Sequence, residues 1–127
     1  MNYNQLFSSF QDQQIMVALI GAGQFGETFI RQCRRISGMQ ISFVCDLQPE
    51  RARVALLAAG YDKSAFVSVG SNEEAATAFN NGQIIITADY RLITGLALDC
   101  VVEATGSPEA AAEVGQITLM SGFHLVM

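Results

Sequence analysis

Long apolar runs are missing from this sequence. None approaches the roughly eighteen residues of a membrane-spanning helix, so no membrane partner is expected. Basic charge is scarce as well: seven Lys and Arg stand against twelve Asp and Glu, giving a net charge of −5. A field of that sign repels phosphodiester backbones and argues against nucleic acid as a partner. The first basic residue is Arg31, so the start lacks the charged region of a secretory signal, and a cytoplasmic protein is expected. The three cysteines, Cys33, Cys45 and Cys100, are far apart, without the close pairs of a zinc or dithiol site. Cys45 and Cys100 fall in apolar runs, as small core residues do. The single histidine, His124, has no acid or nucleophile beside it in a recognisable pattern and is expected to be structural. No metal site and no catalytic set can be assigned.

What is present is a strongly apolar chain, 50% hydrophobic over 127 residues, which suits one domain with a real core and leaves no room for two. Residues 1–14 are polar with Leu6, Phe7 and Phe10 at helical spacing, an amphipathic segment for the domain edge. Ile15 to Ile20 then form a continuous apolar run of strand length, as in a strand covered by helices on both faces. A helix is expected over Glu27 to Ser37, where Phe29, Ile30, Cys33 and Ile36 make an apolar stripe and Gly38 stops it. Met39 to Cys45 return as a strand, and Pro49 opens a helix that runs to Ala59.

The middle is less regular. AFVSV suits a short strand, and Ser71 with Glu74 makes a capping box for a helix ending near Gly82. Strands follow at Ile84 to Thr87 and Asp99 to Glu103, with one helical stretch around Asp89 to Ile93 between them. Ser107, Pro108 and Glu109 open a last helix as cap, first position and acidic first turn, and Gly122 closes it before the strand-like FHLVM. Alternation of this kind implies an α/β fold, a doubly wound parallel sheet of Rossmann type, most simply in strand order 3-2-1-4-5.

The stretch between first strand and first helix, ALIGAGQFGETF, carries Gly21, Gly23 and Gly26 as G-x-G-x-x-G. Alone such a motif is weak evidence, but here it leaves a buried strand and opens a helix, so backbone N–H groups and the helix dipole converge on one spot suited to a pyrophosphate. Gly21 would permit the tight turn, Gly23 the approach of phosphate to backbone, and Gly26 close packing of helix on strand. Asp46, twenty residues past Gly26 at the end of the second strand, sits where an acid accepts hydrogen bonds from an adenosine ribose. With Pro49 at the first helical position the cap falls at Gln48, so Asp46 is not expected to cap. A carboxylate there repels the 2′-phosphate of NADP, and Leu47 offers no compensating cation, so NAD is preferred over NADP. Arg51 and Arg53 could reach such a phosphate but are expected on the solvated face of their helix. A second ligand-facing loop is expected at Ala104, Thr105 and Gly106, where a plain strand-to-helix turn capped by Ser107 fits equally well. Glu103 is either an anchor for that loop or a polar neighbour of the nicotinamide end.

Three segments, VALIGAGQFG, DCVVEATGSPE and GFHLVM, together resemble the N-terminal cofactor domain of homoserine dehydrogenase-like oxidoreductases. That family includes a group similar to 1-deoxy-D-xylulose 5-phosphate reductoisomerase, often with a C-terminal SAF domain. The resemblance implies that Gly21, Ala22, Gly23, Gln24, Phe25 and Gly26 hold the pyrophosphate, and that Ala104, Thr105 and Gly106 border the ribose and nicotinamide. Members using NADPH carry basic or small residues where this chain has Asp46, which turns the expectation from reductoisomerase activity toward an NAD-linked relative. In the family the substrate pocket, catalytic residues and dimer surface follow the stretch matching FHLVM. The apolar ending is unusual for a natural terminus, so an excised or truncated NAD(P)-binding domain over residues 1–127 is expected, inactive alone. Its partner would be a small-molecule substrate held by the missing domain, and a homo-oligomer is compatible with it. The alternatives are a stand-alone dinucleotide-sensing module and, more distantly, an S-adenosylmethionine-dependent methyltransferase.

Overall fold

The computed structural model describes residues 14–127; the amphipathic segment expected to carry Leu6, Phe7 and Phe10 lies outside them. Six strands, β1 (Ile15–Ile20), β2 (Met39–Cys45), β3 (Phe66–Ser68), β4 (Ile84–Thr87), β5 (Cys100–Glu103) and β6 (His124–Val126), form one sheet in the order β3-β4-β2-β1-β5-β6. Every pairing is parallel. With β3 set aside as an added edge strand, the order is the expected 3-2-1-4-5, so the protein has a Rossmann-type doubly wound fold.

Among the described residues four helices cover the sheet: α1 (Gln24–Arg35), α2 (Pro49–Ala58), α3 (Asn72–Asn80) and α4 (Pro108–Met120). On one face Ile30 and Cys33 of α1 and Ala52, Ala55 and Leu56 of α2 pack on Val17, Leu19, Ile41 and Val44. On the other, Ala75 and Ala78 of α3, Val114 of α4, and Leu92 and Ile93 of the 3₁₀ turn Tyr90–Gly95 pack on Ala18, Ile20, Phe43 and Ile85. Burial of both faces is why these strands read as unbroken apolar runs. Each fully buried large side chain, such as Leu56 or Ile85, contributes about 1.5–3 kcal/mol relative to leaving it in water.

Two local details differ from the sequence reading. α1 begins at Gln24, three residues earlier than expected, so Gly26 is a helical residue. Its N-cap, Gly23, has no side chain with which to announce the start. β2 carries an extra residue: Val17 pairs with Ile41 but Ala18 pairs with Phe43, so Ser42 is bulged out of register.

Elsewhere the chemistry of the caps matches the expectation. Ser71 Oγ accepts the Glu74 N–H at 3.1 Å, and Ser107 Oγ accepts that of Ala110 at 3.3 Å. Ser71→Ala removes the acceptor for one orphan amide of α3 and is expected to lower stability by about 1 kcal/mol, measurable by urea unfolding.

Candidate functional site

The carboxyl ends of β1, β2, β4 and β5 surround a crevice of about 280 Å³, near the lower end of the range for small-molecule sites. Of the ten residues proposed from the sequence, Gly21, Gly23, Asp46, Ala104 and Thr105 line it. Ala22, Gln24 and again Gly23 line a second hollow between the starts of α1 and α2. Gly26 is buried, Phe25 is 63% exposed beside Phe29, and Gly106 takes φ +72° in the loop without lining the crevice.

The glycines divide by what surrounds them. Gly21 has φ +106°, and a Cβ built there would lie 2.6 Å from the Ala104 carbonyl oxygen. A Cβ on Gly26 would lie 2.2 Å from the Gly21 carbonyl oxygen. Both positions are demanded by the protein's own backbone. Gly23 differs: its φ is −73°, and a Cβ there would have nothing within 4 Å. No neighbouring protein atom requires glycine at that position.

The amides of the turn divide similarly. Gly21 N–H donates to Cys45 O at 2.7 Å, and Ala22 N–H to Asp46 Oδ2 at 2.8 Å. These two are therefore taken by protein, contrary to the expectation that the whole turn grips a ligand. The N–H groups of Gly23, Gln24, Phe25 and Gly26 have no acceptor among the described residues. They are the first amides of α1, where the positive end of the dipole lies.

Asp46 is held from two sides, because its other oxygen, Oδ1, accepts the Gln48 N–H at 2.8 Å. It thus ties the glycine turn to the start of α2, a structural task that the sequence did not disclose. A carboxylate has about four acceptor sites, so two such bonds leave capacity for ribose hydroxyls. Beside it Leu47 is 88% exposed on the crevice wall. Arg51 lines the crevice as well, whereas Arg53 pairs with Glu50 at 3.5 Å and stacks over Phe66. Arg51 is exposed, as expected, and from there also borders the site, whereas Arg53 is half-buried.

Glu103 proves to be the loop anchor. Its Oε1 accepts the Thr105 N–H at 2.8 Å and the Thr105 hydroxyl, while Thr105 Oγ1 accepts the Ser107 N–H at 3.1 Å. Cys45 also lines the crevice, but burial, then the charges of Asp46 and Asp89, push its thiol up to about 12, so it offers no thiolate nucleophile. Cys33 is buried and Cys100 half-buried. His124 pairs with Cys100 at the start of β5, the opposite end of the sheet from the crevice. Among the described residues, no three His, Cys, Asp or Glu side chains group as a metal site would need. Nor is any described helix long and apolar enough to cross a membrane.

Sequence reasoning missed Ala88 and Tyr90, which wall the crevice from the loop after β4. The signal was available in the sheet order, since the third main strand neighbours β2 and its loop must lie beside Asp46.

No family model matches this chain, and no curated protein does. Among solved structures it is similar to an oxidoreductase from Agrobacterium radiobacter in complex with NAD+, L-tartaric acid and magnesium, with a TM-score of 0.44 and 16% identity. The match covers 89% of this chain and 34% of that one, so the chain spans about a third of the length of that oxidoreductase.

Proposed function

We propose that this chain is the dinucleotide-binding part of an NAD-dependent oxidoreductase of the homoserine dehydrogenase-like kind. One observation carries the reading: four amides at the start of α1, from Gly23 to Gly26, have no acceptor among the described residues, and Gly23, the first of them, lines a crevice that Asp46 also lines. The residues fit the cofactor. The α1 amides would take the diphosphate, and Gly23, with open space where a side chain would be, would let its oxygens reach the backbone. Asp46 would accept the adenosine ribose hydroxyls, with Leu47 presenting an apolar surface beside them. The Ala104–Thr105 loop, braced by Glu103, would border the nicotinamide half. When bound, the nicotinamide ring supplies a hydride acceptor or donor. The small-molecule substrate and the groups that move its protons would come from a domain outside this chain, so the chain alone binds without turning over.

Calorimetry of the chain with NADH, NADPH and S-adenosylmethionine tests this directly. NADH is expected to bind most tightly, NADPH more weakly and S-adenosylmethionine not at all. Binding of S-adenosylmethionine in preference to either dinucleotide would replace the oxidoreductase reading with a methyltransferase one.

A further inference from the structure

The two side walls of the crevice belong to strands that are not neighbours in the sheet. One is the loop after β4, with Ala88 and Tyr90; the other is the start of α4, with Ser107 and Ala110. In the sheet β4 and β5 are joined only through β2 and β1, and the turn after β4 packs on α4 through Leu92, Ile93 and Val114. A side-chain bridge adds a direct polar link between the two walls. Glu113 of α4 accepts the Tyr90 hydroxyl on Oε2 and the Arg91 guanidinium on Oε1, the latter at 2.8 Å. Two consecutive residues of one short turn are therefore fastened to the two oxygens of a single carboxylate.

The turn is fixed at its other end as well. Asp89 accepts the Arg91 N–H at 3.0 Å and lies 3.6 Å from its guanidinium, and the Asp89 N–H donates to Thr87 Oγ1 at 3.1 Å. Thr87 in turn accepts the Asp46 N–H on its carbonyl at 3.1 Å. A continuous set of bonds thus runs from the acid of the crevice, through the loop after β4, to α4. The Tyr90 hydrogen bond first, and the Arg91 charge after it, hold the Glu113 carboxyl below its usual range; the same hydrogen bond raises Tyr90.

We propose that Glu113, which does not itself line the crevice, is a positioning residue for nucleotide binding: it fastens Tyr90, as the wall against the adenosine end, to α4. Tyr90 then determines how well the adenosine half is gripped. This rests on the dinucleotide reading above.

The test is calorimetry with NADH and with ADP on the wild-type chain, Glu113→Ala, Glu113→Gln, Tyr90→Phe and the Tyr90→Phe/Glu113→Ala double variant, each well below its measured Tm. Glu113→Ala is expected to raise the Kd of both ligands by about three- to tenfold, the worth of one hydrogen bond. Tyr90→Phe should do the same, and the double variant should be no worse than either single one, since both remove one link. Glu113→Gln keeps an oxygen that accepts the tyrosine hydroxyl and should recover most of the loss, which a change in overall stability would not reproduce. If the wild type binds NADH and Glu113→Ala binds it equally well, the bridge is not a positioning device. Should Glu113→Ala fail to fold, unchanged binding by Tyr90→Phe overturns the proposal equally. A wild type that binds neither ligand removes the dinucleotide reading and this proposal with it.

Discussion

Gly21→Ala and Gly26→Ala are expected to destabilise the fold severely, while Gly23→Ala leaves it intact and loses the ligand. At Gly26 the new Cβ would lie 2.2 Å from a backbone oxygen, so α1 must move away from the exit of β1; overpacking of this kind costs about 1–3 kcal/mol or more. Gly21 adds a second penalty, because φ +106° is a conformation that alanine reaches only at about 1–3 kcal/mol on top of the 2.6 Å collision with Ala104. Together these approach the total stability of a small domain. Gly23→Ala meets no atom within 4 Å at an ordinary φ, and its unfolding free energy should stay within about 1 kcal/mol of the wild type, the cost of a poorer N-cap. Its NADH affinity should nevertheless fall, since the methyl group would occupy the approach to the α1 amides. Urea unfolding and calorimetry on the three variants separate the two roles. Full NADH affinity in Gly23→Ala would show that no ligand comes close to that backbone.

Asp46→Ala is expected to weaken NADH binding by at least about tenfold, since hydrogen bonds to a charged acceptor are worth roughly 1.5–3 kcal/mol. The loss has two sources. The ribose hydroxyls lose their acceptor, and the glycine turn loses the bond from Ala22 N–H that fixes it against β2. NADPH should lose less, because removal of the carboxylate also removes its repulsion of the 2′-phosphate and leaves Arg51 on the same wall. The ratio of the two dissociation constants should therefore narrow. A wild-type chain that already prefers NADPH would contradict the role given to Asp46.

Legibility in the sequence followed the range of the interaction involved. The bounds of β1, β2 and β4 are those of the apolar runs, because strands buried on both faces need no partner to be recognised. Ser71 and Ser107 marked their helices because a cap is a contact over three residues. The start of α1 was misplaced for the converse reason: Gly23 caps it with no side chain. What the sequence did not disclose lies between residues far apart along the chain. Asp46 reaches Ala22, and Tyr90 reaches Glu113, across more than twenty positions in each case. Nothing in the residue types distinguishes such a carboxylate from one that merely faces water.

The bulged Ser42 bears on where the acid of the site stands. Were β2 evenly paired through that residue, everything after it would sit one step of about 3.3 Å further along, with each side chain turned to the opposite face. Phe43 would leave its core layer, and the carboxylate three residues beyond it would overshoot the turn it now secures. The kink absorbs a surplus residue, so the spacing from glycine to acid counted along the chain is one longer than the span it bridges in space.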